Sequence, residues 1–231
     1  MKIPIYLASR SPRRVALLAQ MGLQCEVMPM DIDESVQLNE LPAAYVQRLA
    51  KEKAEALIQH LSANSTPQLL ENLTVLPSEI KNLTVFDRHI LDAPYIIIAA
   101  DTTVATATDI LGKPDDDAHA KAMLKQLSDS THWVHTAVAV SFCHAGSFET
   151  PRLFETKVAL SSTAVRMMPL NDAQIDQYIA TGEHRDKAGS YGIQGAAGVW
   201  ITHIEGSYTG VMGLPVYETA ALLRSFGVYA L

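Results

Sequence analysis

Apolar and polar positions along this chain repeat every second residue in some stretches and every 3.6 residues in others, and the two kinds alternate. Ile3 to Ala8 reads as a strand. Ser11 and Pro12 supply the N-cap and first-turn pair of a helix carrying Val15, Leu18 and Met21, which Gly22 closes. Gln24 to Met30 returns as a second strand. Leu41 to about Leu61 places Val46, Leu49, Ala50, Leu57 and Leu61 on one side at roughly 100° per residue, a helix. Farther on, Tyr95 to Ala107 reads as a strand interrupted by Asp101, and Asp109 to Gly112 carries a short hairpin signal. The acidic run Asp115 to Asp117 caps a helix reaching Leu127, where carboxylates favour the positive end of the dipole. Val134 to Cys143 and Leu153 to Met167 read as paired long strands, Asn171 to Ala180 as a short helix, Val199 to Ile204 as a strand and Pro215 to Phe226 as a closing helix. This alternation predicts an α/β fold, and no heptad or solenoid repeat occurs.

Residues 64 to 92 break the pattern. Pro67, Pro77, Asn64, Asn72, Asn82 and the repeated string Asn-Leu-Thr-Val at 72–75 and 82–85 punctuate short apolar pieces. The stretch reads as a surface insertion with no catalytic part in an otherwise single domain spanning 1–231. With 231 residues, 48% of them hydrophobic, the chain can bury one large core without disulfides or a structural metal. Its 18 Lys and Arg against 25 Asp and Glu give a net charge of −7, which disfavours nucleic-acid polymers and anionic lipid as partners. Cys25 and Cys143 stand far apart and outside any C-x-x-C or metal spacing, as suits a reducing compartment. The longest bare apolar run, Tyr95 to Ala100, is too short to cross a bilayer, and the apolar stretch Ile3 to Ala8 is too short for a secretory signal. The expectation is a cytoplasmic protein with no membrane partner, in which the Asn-X-Ser/Thr strings carry no glycan meaning.

The chemistry concentrates at the end of the first strand, where Ser9-Arg10-Ser11-Pro12-Arg13-Arg14 leads into the first helix. Two arginines in a first helical turn oppose the macrodipole by about 0.3–1 kcal/mol each, and an anion at that end reverses the penalty. Free amides, the Ser9 and Ser11 hydroxyls and two guanidinium forks make a phosphate cradle, although arginines facing water or surface acids give the same pattern. Lys53 falls between Val46, Leu49 and Leu57 on the apolar side of its helix, either as a functional cation or as a stem that reaches past the apolar surface to water. Asp101 follows Ile96-Ile97-Ile98-Ala99-Ala100, at the strand end where open α/β sheets place their ligands; polar turn chemistry with Thr102 and Thr103 is the simpler explanation. Lys113 follows the hairpin signal and can fold back toward Asp101. The glycine-dense string from Asp186 to Gly195 lets backbone approach a ligand, and the Gln194 amide can read a base edge, although a flexible loop has the same composition. His132, His135 and His184 show no metal spacing and read as structural or exposed. Walker A, G-x-G-x-x-G and G-x-S-x-G motifs are absent from the sequence.

Leu7 to Arg14, Ala50 to Ala54, Ala100 to Thr103, Gly112 to Pro114, Asp186 to Gly195 and Val211 to Pro215 together resemble, in order and across nearly the whole chain, the Maf family of nucleoside triphosphate pyrophosphatases. The resemblance implies a mixed, twisted sheet with flanking helices and two lobes around a nucleotide cleft, often as a homodimer. The implied activity splits a nucleoside triphosphate between its α and β phosphates. It further implies Asp101 as general base, Ser9, Arg14, Lys53, Lys113 and Lys187 as phosphate-binding residues, and Glu34 joining Asp101 at a divalent metal (Mg²⁺, Mn²⁺ or Co²⁺). The family's specificity positions fall on Arg13, Thr102 and Gln194, and these residue types resemble the branch acting on dTTP and UTP. The branch acting on 7-methyl-GTP, and a nucleotide-binding regulator of septum formation with little turnover, are the alternatives. The chain departs from the family at 64–92, which is longer, and at Arg10, where a small residue is usual. An aspartate among so many cations is expected to stay ionised at neutral pH.

Overall fold

The computed structural model describes residues 3–65, 93–144 and 153–230, and in them the two periods of the sequence become one mixed sheet covered on both faces. Its strands are β1 (Ile5–Leu7), β2 (Glu26–Val27), β3 (Tyr95–Ala105), β4 (Ile110–Leu111), β5 (Thr131–Cys143), β6 (Phe154–Met167) and β7 (Ile201–Glu205). They lie in the order β2-β1-β3-β5-β6-β7, with β4 pairing the outer part of β3. β1 runs parallel to both its neighbours and the remaining pairs are antiparallel. The helices are α1 (Pro12–Gln20), α2 (Pro42–Ser65), α3 (Asp117–Leu127), α4 (Asp172–Ala180), α5 (Tyr208–Met212) and α6 (Val216–Ser225).

Side-chain alternation along β3 decides which helix covers which face. Tyr95, Ile97 and Ala99 pack with Ala137 and Ala139 of β5 under Val46, Ala50, Ala54 and Leu57 of α2. Ile96, Ile98 and Ala100 turn the other way, toward Leu17 and Leu18 of α1 and Leu223 of α6. A separate core, in which Val104, Leu111, Val165 and Met167 meet Leu124 and Leu127 of α3, Ile175 of α4 and Trp200, forms a second lobe at the far end of the same strands. β3 therefore belongs to both lobes, and the cleft between them falls on its middle. β1 pairs Ile96 to Ile98 and β4 pairs Val104 and Ala105, so the edge between those two segments of β3 has no strand beside it among the described residues.

The expected elements all occur among the described residues, with ends displaced by a few positions. Two differ in kind. β3 runs unbroken through Asp101, because the carboxylate finds a side-chain partner and its backbone stays in register with Ala137. Helix α5 was not expected: a single turn, capped by the Ser207 hydroxyl and ended by Gly213, has no room to display a period. The acidic run does act as a cap, with Asp116 accepting from the His119 amide at 2.7 Å. The first two residues of the expected insertion at 64–92 continue α2, and 66–92 lie outside the described residues. No helix among the described residues is long and apolar enough to cross a membrane.

Candidate active site

A cavity of about 820 Å³ opens at the bare edge of β3. The loop from Ala8 to Arg14, the loop after β2, the middle of β3, Lys113 and the segment from Asp186 to Ile193 all line it, with Met212 and Gly213 closing one end. Of the residues anticipated from sequence, Ser9, Arg13, Arg14, Glu34, Lys53, Asp101, Thr102, Lys113 and Lys187 are brought together there. Gln194 is not: it is exposed, and its neighbour Ile193 lines the cavity instead.

Lys53 and Asp101 are each only 8% exposed, and Lys53 Nζ donates to Asp101 Oδ1 at 2.7 Å. Glu34 Oε1 lies 2.6 Å from the same ammonium, so two carboxylates converge on one cation. Lys53 is thus a paired, buried charge rather than a stem reaching water. Burial pushes the Asp101 carboxyl above its ordinary value, further than Lys53 and Arg14 pull it down, and Glu34 adds to the rise. Burial thus offsets the surrounding cations at Asp101, since a charge that leaves water must first overcome desolvation. For Glu34 burial again acts upward as the largest single effect, but Lys53, Lys113 and Arg14 together hold its carboxyl below the ordinary value.

Arg14 is held in place by neutral oxygens. Its Nε donates to the Gly213 carbonyl at 2.8 Å, Nη1 to Ser9 Oγ at 2.9 Å and Nη2 to Thr102 Oγ1 at 3.3 Å. Burial lowers its pKa, with Asp101 opposing, and an arginine remains protonated at neutral pH regardless. Arg13 Nε donates to the Met212 carbonyl at 3.3 Å. Two guanidinium groups thus line the cavity at the first turn of α1, where Ser11 shows no side-chain cap, and both are hydrogen-bonded to neutral oxygens.

The glycine-dense segment reaches the site through a tight backbone path. Gly189 has φ +66 and its Cα lies against Val104, so that a Cβ there would sit 2.9 Å from a valine methyl. Its amide donates to the Gly112 carbonyl at 3.1 Å, which fastens the segment beside Lys113. Lys187 Nζ donates to the Glu183 carbonyl, and burial together with Arg13 lowers its pKa. Tyr191, also on the cavity wall, has its hydroxyl 2.7 Å from Nε2 of the fully buried His132, whose pKa burial lowers to about 4, leaving the imidazole neutral at pH 7. The glycine string marked this segment, but the His132 contact had no signal in the sequence beyond strand alternation.

Arg48 was also missed, because it acts from outside the cavity. It grips Glu40 through two hydrogen bonds, at 2.7 and 2.8 Å, and donates to the Ser35 carbonyl at 3.0 Å. Tyr45, which lines the cavity, donates to the Glu34 carbonyl at 2.8 Å. Together they pin the loop that delivers Glu34 onto α2. The Arg48 hydrogen bonds lower the Glu40 carboxyl from 4.5 to about 2. A carboxyl with a depressed folded-state pKa contributes stability above its unfolded value and loses it as pH falls through the folded value. Glu40→Gln is therefore expected to be less stable than the parent at neutral pH, with the difference shrinking between pH 4.5 and about 2; urea unfolding across that range checks it, and a pH-independent difference contradicts it.

The donor set at Lys53 also suits a divalent cation. Asp101 and Glu34 are hard oxygen donors that already meet at one cation, and Thr103 Oγ1, two residues beyond Asp101 on the same face, is buried with no partner. No cluster of three or more His, Cys, Asp or Glu occurs among the described residues, so a bound Mg²⁺ or Mn²⁺ must draw further ligands from phosphate and water, as those ions usually do.

The fold and site define a two-lobed α/β protein whose cleft gathers Arg13, Arg14, Lys53, Lys113 and Lys187 around a buried carboxylate. The chain belongs to the Maf family: the family model described as "Maf-like protein" matches residues 4–226. It is similar to the "dTTP/UTP pyrophosphatase" of Methylobacillus flagellatus, 46% identical over 97% of this chain and 93% of the relative. The "dTTP/UTP pyrophosphatase" of Chromobacterium violaceum is 45% identical over 96% and 94%. The "Nucleoside triphosphate pyrophosphatase" of Haemophilus ducreyi is 40% identical over 98% and 97%.

Proposed function

We propose that this protein is a nucleoside triphosphate pyrophosphatase that hydrolyses dTTP and UTP to the monophosphate and pyrophosphate. The observation that carries the reading is the Asp101–Lys53–Glu34 group set in a cavity whose lining also includes the cations Arg13, Arg14, Lys113 and Lys187. A protein that only held a nucleotide would gain nothing from a carboxylate placed among its phosphate-binding cations. The family match and the names of the relatives supply the substrate class.

In this reading Asp101 takes the proton of a water that attacks the α phosphorus, and its raised pKa makes it a stronger base than an exposed aspartate. Arg14, Lys113 and Lys187 hold the phosphates, while Ser9 and Thr102 keep the Arg14 fork in its plane. Lys53 holds Asp101 in position. Positive charge fixed before the reaction stabilises the negative charge that moves to the leaving pyrophosphate. A divalent cation held by Asp101 and Glu34 would supply further charge neutralisation there. We place the protein in the cytoplasm as a homodimer without a nucleic-acid polymer partner, the last on its net charge of −7.

The test is a panel of canonical and modified triphosphates with Mg²⁺, Mn²⁺ or Co²⁺, scored for which phosphate product appears. Pyrophosphate release that is fastest from dTTP and UTP supports the proposal, and release of orthophosphate or a preference for 7-methyl-GTP refutes it. Base choice has a separate check. Gly195 passes so close to Glu183 that a Cβ would lie 2.0 Å from its Oε2, and that carboxylate accepts from the Ala196 amide at 2.9 Å. Glu183 therefore braces the turn bearing Gln194. Because Gln194 is exposed and lies outside the cavity, Gln194→Glu is expected to change kcat/KM for UTP and 7-methyl-GTP in equal proportion, and a loss confined to UTP would bring Gln194 to the base. An unchanged ratio leaves base reading to Arg13 and Thr102 on the cavity wall.

A further inference from the structure

Arg10 takes no part in the reading above, yet it lines the cavity from the phosphate loop. Its Nη2 lies 3.0 Å from Asp31 Oδ2, so it bridges the loop after β1 and the loop after β2, and the two side chains are 70% and 84% exposed. Asp31 lines the cavity as well. The neighbouring arginines are fixed by backbone carbonyls and hydroxyls, and Lys53 is fixed by two carboxylates at the cavity floor. Arg10 differs from them in being tied only to an exposed acid. An ion pair that exposed is weak, whereas a phosphate chain offers more charge and a match to both arms of a guanidinium.

We propose that Arg10 is an additional anion subsite at the cavity mouth, which grips the terminal phosphates of a bound nucleotide and then the departing pyrophosphate, and that Asp31 is the resting partner the anion displaces. This rests on the reading of the cavity as a triphosphate site. The two residues have opposite effects on the anion: Arg10 attracts it, and Asp31 holds Arg10 back. Both lie in exposed loops, so their substitution leaves the cores untouched.

The experiment is calorimetric titration of inorganic pyrophosphate, at low salt and without added divalent metal, into the parent, Arg10→Ala, Asp31→Asn and the double variant. Arg10→Ala is expected to weaken binding about five- to twenty-fold, the loss of a charge-assisted contact moderated by exposure. Asp31→Asn is expected to tighten it about two- to five-fold by releasing Arg10. In the double variant the Asp31 substitution is expected to add nothing. Unchanged affinity in Arg10→Ala overturns the proposal, and so does a gain from Asp31→Asn that persists without Arg10, because Asp31 then acts only by repelling the anion. A parent protein that binds pyrophosphate with this pattern but does not hydrolyse UTP supports the subsite and refutes the pyrophosphatase reading, so the two failures are distinct.

Discussion

Asp101→Asn is expected to lower turnover of UTP by about 10²–10⁴-fold, the range for loss of a general base, while leaving a folded protein. The side chain sits on a strand registered with Ala137, is 8% exposed and has its pKa raised by burial. Asparagine keeps the shape and removes that charge, so no unpaired carboxylate is left in the interior, and Lys53 retains Glu34. A thermal midpoint close to that of the parent, together with lost turnover and retained nucleotide binding, is the expected combination. Near-parental kcat in the folded variant removes Asp101 from the chemistry.

Lys53→Met carries the other large effect, this time on stability as well as activity. Removing one partner of a buried ion pair costs about 3–5 kcal/mol, because the remaining charge is left without compensation. Asp101 is that remaining charge, and burial already drives its pKa upward, so protonation relieves part of the loss. The destabilisation of Lys53→Met is accordingly expected to be greater at neutral pH than under mildly acidic conditions. Adding Asp101→Asn to Lys53→Met is expected to recover much of the stability and none of the turnover. Denaturant unfolding of the two variants at both pH values checks this, and a single variant as stable as the parent contradicts the account of the pair.

The site was legible where a residue broke a strong local pattern. Lys53 stood out as a lysine on the apolar side of a long helix, and the structure places it in the interior against Asp101. Arg13 and Arg14 stood out as cations at the wrong end of a dipole, and they face the cavity. The contacts that complete the site join positions with no local relation. Arg14 reaches the Gly213 carbonyl 199 residues away, and His132 reaches Tyr191 across 59. Such pairings depend on sheet order, which strand periodicity does not encode. The Arg48–Glu40 clamp is closer in sequence but joins a helix to an irregular loop, so it has no periodic signature. The Asp101 break in β3 was misread for the opposite reason: a charge in a strand looks like its end when the cation that offsets it lies on α2, 48 residues earlier.

The central claim is that water attacks the α phosphorus and pyrophosphate departs as a unit. Turnover of UTP in heavy-oxygen water, followed by mass analysis of both products, tests it directly. The account predicts one heavy oxygen in the monophosphate and none in the pyrophosphate. Label in pyrophosphate places the attack on the β phosphorus, and label in orthophosphate released beside UDP places it on the γ phosphorus; either contradicts the assignment.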